Sequence, residues 1–243
     1  MPQILKDEVR ERIVGAALEV FAERGYEGAT MTAIAERAGV GTASTYRYFA
    51  GKRELFETLV TPQLVERFQS LLDQRVHALA RAALAAAPRG ADDDLGDEML
   101  GFWVENRLAV VILLDRAAGT AHAGFAARFV ERLVASTLAE LGPSAARRAG
   151  GVARTVLAQI FDGTRRTLAA LLEAHPDERA LRSAIEAFWS YQIPGLHGFA
   201  RWARGDSRGR RASECRTVAC VTHATARPAF NAPDGPVHGG RRR

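Results

Sequence analysis

The segment Met31–Lys52, MTAIAERAGVGTASTYRYFAGK, carries the local chemistry that arranges the N-terminal helices. Its first eight residues favour a helix, and Gly39 follows them, where glycine commonly ends a helix in the left-handed conformation. A very short connection leads into a second helical segment, residues 42–49, which opens with small residues. Two helices joined by a tight turn that contains glycine form a helix-turn-helix unit, and the segment predicts one.

Helical patterns on both sides of this unit complete a small domain. Residues 9–24 have the spacing of an amphipathic helix that Gly25 ends, and Thr30 is a suitable N-cap for the helix that follows. A further helix starts at Lys52 and is interrupted at Thr61-Pro62, because proline inside a helix removes a backbone donor. The inward positions of the first two helices are Val9, Ile13, Ala16, Ala17, Val20, Phe21, Ile34 and Ala38.

A helix over residues 42–49 has two different faces. At 100° per residue, Thr45 and Phe49 point inward. The first turn consists of the small residues Thr42, Ala43 and Ser44, which can approach base edges in a major groove. Hydroxyl groups can donate or accept hydrogen bonds there, and methyl groups can touch a thymine methyl. The sequence therefore favours base contact by this turn.

Larger side chains follow the small turn. The hydroxyls of Tyr46 and Tyr48 can reach phosphates while their rings pack on the domain; the alternative is that both rings are core aromatics of a three-helix unit. Lys52 adds positive charge at the start of a helix, where free backbone N–H groups favour an anion. We expect this lysine to contact phosphate.

The positive charge of the chain is unevenly distributed. The net charge is +5, but residues 1–60 carry 8 Lys/Arg and 9 Asp/Glu, and residues 61–202 carry 16 of each class. Residues 203–243 carry 9 Arg and 3 acids, so the excess lies there and says little about DNA binding by the folded part. Residues 37–53 nevertheless contain four basic residues and no acid, which predicts a local positive patch: Arg37, Arg47, Lys52 and Arg53.

The run Arg12–Leu59, RIVGAALEVFAERGYEGATMTAIAERAGVGTASTYRYFAGKRELFETL, resembles the N-terminal domain of the TetR family of bacterial transcriptional regulators. The resemblance combines the AALEVFAERGYEGAT helix, the IAERAGV turn, the TYRYF recognition helix and the GKREL that follows. It implies a helix-turn-helix DNA-binding domain at 1–55 and a helical ligand-binding and dimerisation domain at 56–203. Residues 204–243 have no helical period and are rich in Gly, Pro and Arg, so their composition predicts a basic, disordered tail. The resemblance also implies a homodimer that represses a palindromic double-stranded operator until a small molecule releases it.

The resemblance assigns roles to residues by position. Those that match base-facing positions are Thr42, Ala43 and Ser44, and those that match positions contacting the phosphate backbone are Thr30, Tyr46, Tyr48 and Lys52. Arg47 lies at a variable position and is a candidate specificity residue. Two departures from the family pattern are Thr45 in place of leucine and Gly41 in place of a serine N-cap; a glycine N-cap costs only a few tenths of a kcal/mol.

The rest of the chain predicts an all-α protein. Helices are expected near 64–87, 95–118, 122–141, 145–173 and 177–203, with a loop at 88–94 and a bend at Pro194. The last two would form a four-helix bundle in the dimer through the apolar residues Val152, Val156, Ile160, Leu181, Ile185, Phe188 and Trp189.

A ligand cavity is expected among the helices of 62–173, with an effector of unknown identity. Its candidate wall residues are Phe102, Trp103, Asn106, Leu113, Phe125, Phe129, Gln159 and Phe161. The alternative for each of them is ordinary core packing. Such a lining suits an apolar or aromatic compound. Arg107, Asp115, Arg116 and His122 are expected to be solvated or paired surface groups.

Several classes of function have no support in the sequence. The longest apolar run, Leu108–Leu114, is too short to span a membrane, and MPQILKDEVR lacks the apolar core of a signal peptide, so a cytoplasmic location is expected. We expect no metal at Cys215 and Cys220, no catalytic set and no cofactor. The alternative to a ligand-released repressor is a DNA-binding protein of the same fold that a protein partner controls.

Overall fold

The computed structural model describes residues 3–85 and 93–205, and of residues 3–5, 76–85 and 93–95 only the backbone. The described residues are helical and contain no strand, as predicted. Most of the predicted loop at 88–94 lies outside the described residues, but Asp93 and Asp94 begin a helix. The part of the predicted disordered tail beyond Gly205 also lies outside them.

The helices follow one another in chain order, joined by short turns. Their bounds are α1 Gln3–Gly28, α2 Met31–Ala38, α3 Thr42–Thr45, α4 Lys52–Leu59, α5 Pro62–Ala85, α6 Asp93–Glu105, α7 Arg107–Val111, a π-helical turn Ile112–Arg116, α8 Phe125–Leu141, α9 Pro143–Ala174 and α10 Glu178–Arg204. None of them, within the residues described, is long and apolar enough to cross a membrane.

The N-terminal helices have the signals that the sequence predicts. Gly25 interrupts the helical backbone with φ 70°, and α2 spans the eight predicted residues. The side chain of Thr30 caps α2, and Gly39 ends it in the left-handed conformation with φ 65°. The domain boundary proposed at residue 55 falls within α4, which begins after Gly51 and ends before Thr61-Pro62.

Several predicted helices differ in detail. The helix expected over 95–118 is broken at Asn106, whose φ of −114° and ψ of 24° separate α6 from α7. A π-helical turn follows α7, and the α9 backbone leaves helical geometry at Gly150, where φ is 57°. Pro194 lies inside α10, which continues to Arg204. Helical spacing alone predicts neither the π-helical turn nor the distortion at Gly150.

The C-terminal half is a bundle in which α8 packs along α9, and α9 along α10. Leu181 and Ile185, predicted to lie in a dimer interface, are instead buried in the core of the chain itself, so this prediction is wrong for both. Val152 and Val156 of α9 are exposed, as an interface requires. Helical spacing identified apolar faces but did not show which face the neighbouring helices cover.

Aromatic rings join the N-terminal helices to the rest of the chain. The Phe56 ring of α4 lies 5.4 Å from that of Phe21 and 5.1 Å from that of Tyr26, measured between centroids, and 6.5 Å from the His122 ring. Helix α1 also packs on α7 and on the π-helical turn. The helix-turn-helix unit is therefore packed directly against the larger helical bundle.

We predict opposite effects of alanine at two glycines. Gly39→Ala should lower the free energy of unfolding by about 1–2 kcal/mol, because a Cβ is disfavoured in the left-handed conformation. Gly15→Ala should raise it by about 0.5–1 kcal/mol, because Gly15 is exposed inside α1 and an added Cβ meets nothing within 4 Å. Urea unfolding measures both. Equal effects of the two substitutions would contradict the role of the Gly39 conformation.

Candidate nucleic-acid interface

Hydrogen bonds hold both the start of α2 and the turn that follows this helix. The backbone N–H of Ala33 donates to Oγ1 of Thr30 at 3.1 Å, which caps α2. Past Gly39, the N–H of Val40 donates to the carbonyl of Ala35 at 3.0 Å. Arg12 of α1 donates from Nη2 to the carbonyl of Ala38 at 2.5 Å. The bonds to the carbonyls of Ala35 and Ala38 hold the turn that leads into α3, and the Thr30 cap holds the start of α2.

Helix α3 is shorter than predicted but has the predicted inward face. Its regular part ends at Thr45. Beyond it, the N–H groups of Arg47 and Tyr48 donate hydrogen bonds to carbonyls three residues earlier in the chain. Thr45 and Phe49 are buried, which confirms the predicted face. The Thr45 hydroxyl donates to the carbonyl of Thr42 at 2.6 Å. The buried hydroxyl therefore has a hydrogen-bond partner at this position, where the family pattern has leucine. Hydroxyl residues that bond the backbone in this way are weak helix formers.

Most predicted DNA-contacting residues of α3 lie at the surface. Ala43 and Arg47 are exposed, Thr42 and Ser44 are partly exposed, and Tyr46 is 53% exposed. Nη2 of Arg47 donates to Oγ of Ser44 at 2.9 Å, so the guanidinium lies over the small turn. The structure therefore places five of the candidates on one short accessible segment, which begins in α3 and continues past its last residue. We call it the accessible segment of α3, and it consists of Thr42, Ala43, Ser44, Tyr46 and Arg47.

Tyr48 and Thr30 are placed differently. Tyr48 is half-buried and packs against the core, which agrees in part with the alternative of a core aromatic. Thr30 is exposed, and its hydroxyl oxygen already accepts the capping hydrogen bond from Ala33. Both residues border the helix-turn-helix unit, but neither belongs to the accessible segment of α3.

Lys52 has partners within the protein. Its Nζ donates to the carbonyls of Tyr26 at 2.7 Å and Ala29 at 2.9 Å, and lies 4.5 Å from the centroid of the Tyr26 ring. These carbonyls lie at the end of α1 and before α2, where helix geometry leaves acceptors without backbone donors. The phosphate contact of Lys52 stays a prediction, and in the structure this lysine ties α4 to the end of α1.

The predicted positive patch is largely compensated. Arg37 pairs with Glu19 and Glu23 of α1 at 2.8 Å each, and Arg53 pairs with Glu57 at 2.8 Å. The hydrogen bond from Arg37 lowers the pKa of Glu23, and the carboxylates raise the pKa of Arg37. Arg47 and Lys52 form no ion pair among the described residues, and of these two Lys52 binds backbone carbonyls. The predicted positive patch is therefore partly neutralised: the acids that pair with Arg37 come from α1, and the acid that pairs with Arg53 lies one turn later in α4.

A network of charged side chains links α9 to α1 through the π-helical turn. Arg165 of α9 is buried and donates to the carbonyl of Leu114 at 2.5 Å and to Asp115 at 2.8 Å. Asp115 also pairs with Arg116 at 2.6 Å, and Nε of Arg116 donates to the carbonyl of Ala22 in α1 at 3.2 Å. Asp115 and Arg116 are paired groups near the surface, as expected, whereas Arg165 had no signal in the sequence, since no local pattern marks partners 50 residues apart.

The predicted ligand-binding residues do not surround one cavity. Phe102 and Phe125 are buried, with ring centroids 5.6 and 5.3 Å from that of Phe68. Phe129 is also buried, Nδ2 of Asn106 donates to the carbonyl of Phe102 at 3.0 Å, and Gln159 is exposed on α9. Trp103 is the member of the set that lines the cavity of about 620 Å³ between α6 and α10, and Gln159 lines a separate groove between α8 and α9.

Comparison with known proteins shows that the N-terminal helices are similar to those of a known family. Residues 13–59 match the family described as bacterial regulatory proteins, tetR family. The chain is 43% identical over 54 residues to the transcriptional regulator SrpR of Pseudomonas putida, covering 22% of this chain and 25% of that protein. It is 47% identical over 51 residues to the transcriptional activator FasR of Mycolicibacterium smegmatis, covering 21% and 23%. The matched region thus spans about a quarter of each of these relatives.

A solved structure is similar over more of the chain. A TetR-like transcriptional regulator from Rhodococcus sp. RHA1 is 21% identical, and the match covers 86% of this chain and 100% of that one with a TM-score of 0.40. The family match at residues 13–59 lies in α1 to α4, the region that contains the accessible segment of α3.

We predict that Lys52 stabilises the N-terminal helices. Lys52→Met keeps the aliphatic stem but removes the hydrogen bonds to the carbonyls of Tyr26 and Ala29, and should lower the free energy of unfolding by about 1–3 kcal/mol. Urea unfolding measures this change in the free energy of unfolding. The matched control is Arg53→Gln at the next position, where an exposed ion pair is lost and stability should stay nearly unchanged. Equal stability of the Lys52→Met variant and the native chain would contradict the structural role.

Proposed function

We propose that this chain, whose residues 13–59 belong to the tetR family of bacterial regulatory proteins, is a DNA-binding transcriptional regulator that reads an operator with α3. The observation that carries the proposal is the accessible segment of α3, where small residues precede Tyr46 and Arg47 while Thr45 and Phe49 anchor the segment from beneath. A small outer face on a firmly packed helix lets backbone and side chains approach base edges closely.

Direct base reading would come from the first turn of α3. The hydroxyls of Thr42 and Ser44 offer donors and acceptors to base edges, and the Ala43 methyl suits contact with a thymine methyl. Arg47 lies beside Ser44 and has no ion pair among the described residues, so its guanidinium can turn towards a guanine or a phosphate at little electrostatic cost.

Contacts with phosphate would position the protein on the duplex. The exposed hydroxyl-bearing ring of Tyr46 is the best-placed candidate, and Tyr48 and Thr30 lie beside it on the same unit. For Lys52 we propose an indirect role, since its ammonium already binds carbonyls of the end of α1 and the turn before α2. Holding α4 against α1 keeps the unit rigid while it docks.

A homodimer would bring two such units onto a palindromic operator. Val152 and Val156 of α9 are one turn apart and exposed, Val152 by 61%. Tyr191 and Trp202 of α10 are also exposed, Tyr191 by 80%. They are eleven residues apart, which is about three helical turns, so they lie on nearly the same side of α10. Large exposed apolar side chains on two adjacent long helices suit a four-helix interface between two copies.

The mode of control that we propose is repression released by a small molecule. The cavity between α6 and α10 supports an effector site, and the ionic network from Arg165 to Ala22 supports communication between the bundle and α1. The second candidate is control by a protein partner, which the exposed apolar side chains of α9 and α10 would also suit. A compound that dissociates the DNA complex favours the first, and capture of a partner without any compound effect favours the second.

We predict separate roles for Tyr46 and Thr42 in DNA binding. Tyr46→Phe removes one hydroxyl and should weaken binding to every duplex about three- to tenfold, as loss of a phosphate contact does. Thr42→Val should instead change the preferred bases. Selection from random duplexes followed by fluorescence anisotropy measures both, with Ser70→Ala, which removes an exposed hydroxyl on α5, as the control. An unchanged affinity of Tyr46→Phe, or an unchanged consensus for Thr42→Val, would contradict the assigned role.

We also predict that α9 carries part of the dimer interface. Val152→Glu places a charge on the exposed apolar face and should raise the dimer dissociation constant at least about tenfold, because the charge would be desolvated on association. Arg154→Glu lies on the opposite side of the same helix and should leave association unchanged. Sedimentation velocity over a concentration series distinguishes them. Identical association of the two variants would show that this face is not the interface.

A further inference from the structure

Arg10 of α1 lies beside the residues that follow α3. Its guanidinium carbon is 5.3 Å from the centroid of the Phe49 ring, over which it lies. Phe49 is buried, directly follows Tyr48, and anchors the segment that we propose for DNA contact. A guanidinium at this distance is attracted by the negative face of an aromatic ring. The ring therefore gives the Arg10 side chain a preferred position next to the helix-turn-helix unit.

The hydrogen-bond donors of this guanidinium remain available. Arg10 is exposed and forms no hydrogen bond or ion pair within the part of the chain that the structure describes. Arg12, two residues later, instead donates to the carbonyls of Ala38 and Gly39, and Arg37 is held by two carboxylates of α1. Those two arginines join helices, whereas the five N–H groups of Arg10 point to no partner in the described protein.

The charged neighbours of Arg10 do not hold it. Asp7 is the acid nearest to its side of α1, and it is exposed and forms no ion pair with Arg10 among the described residues. Next to Phe49 in the chain, the carboxylate of Glu54 accepts a hydrogen bond from the N–H of Ala50 at 2.6 Å. Lys6 is exposed one turn before Arg10 on the same side of α1. An anion that approaches this end of α1 therefore meets a cation whose existing ion pairs need not be broken.

The contact with Phe49 places Arg10 at the far end of the accessible segment of α3. Between Thr42 and Phe49 a helix extends roughly 10 Å. The major groove of B-DNA is about 12 Å wide, and the phosphates of the two strands form its borders. When the small first turn of α3 lies against base edges, the opposite end of the segment lies near a border of the groove. Arg10 beside it is then within reach of a phosphate.

We infer that Arg10 contacts a phosphate of the DNA backbone, so that α1 contributes to the interface from outside the helix-turn-helix unit; the inference rests on the proposed DNA-binding function. The planar guanidinium can donate two parallel hydrogen bonds to the oxygens of one phosphate. Because the Phe49 ring already restrains the side chain, less conformational freedom is lost on binding. A phosphate contact positions the protein on the duplex and carries no base preference of its own.

Arg10→Met keeps an aliphatic stem over Phe49 but removes the charge and the donors. Fluorescence anisotropy of the full chain over a salt series, with the duplex that the native chain selects and with a random duplex, measures the effect. The dissociation constant should rise about five- to tenfold for both duplexes. The slope of log affinity against log salt should become shallower by about 0.9 for each bound protomer. Arg10→Lys retains the charge and should keep the native slope, with an affinity between the two.

The matched control is Arg24→Gln. Arg24 is also exposed on α1 and forms no ion pair among the described residues, but it lies about four helical turns after Arg10. This substitution should leave both the affinity and the salt slope unchanged. Urea unfolding of each variant shows whether the fold is retained. If Arg10→Met is less stable than the native chain, Arg10→Gln replaces it as the uncharged variant, with the same expected results.

Native affinity and native salt slope in the uncharged variant would overturn the phosphate contact. A changed base preference with an unchanged salt slope would also overturn it, since Arg10 would then act only by positioning α3 through Phe49. Failure of the native chain to bind any duplex would refute the proposed function itself. Binding by the native chain that is indifferent to Arg10 refutes the Arg10 contact alone.

Discussion

The packing of Phe56 against α1 is the contact on which the arrangement of the N-terminal helices depends. Its ring meets Phe21 and Tyr26 of α1 on one side and approaches His122 of the bundle on the other. The ammonium of the neighbouring Lys52 lies over the Tyr26 ring and holds two carbonyls near the end of α1. Helix α4 therefore belongs to both parts of the chain, and the position of α3 follows from that of α1 and α2.

Electrostatics in this protein act mainly to hold helices together. Arg37 is bound by two carboxylates of α1, Lys52 by carbonyls, and Arg165 by Asp115 and Asp162. Each of these cations is already engaged, so little fixed charge is left at the accessible segment of α3. Recognition would then depend on shape, on hydroxyl groups and on Arg47, with a smaller contribution from a general attraction to phosphate.

The N-terminal domain could be predicted in some detail because its signals are local. Thr30 caps α2 through a hydrogen bond to a residue three positions away, and Gly39 ends the helix through its own backbone conformation. The inward face of α3 follows from helical spacing, which the burial of Thr45 and Phe49 confirms. The length of α3 could not be predicted in this way, because the Thr45 hydroxyl bonds to the backbone and regular helix gives way to i to i+3 bonds.

The sequence by itself determined the all-α class, the helix-turn-helix unit and the order of the helices, since capping, helix spacing and left-handed glycines act over a few residues. Tertiary structure alone decided the partners of Arg37 and Lys52 and the burial of Leu181, Ile185 and Arg165. These features depend on groups brought together from distant parts of the chain. Helical periodicity shows that a residue is on an apolar or charged face, but only the packed helices determine what that face meets.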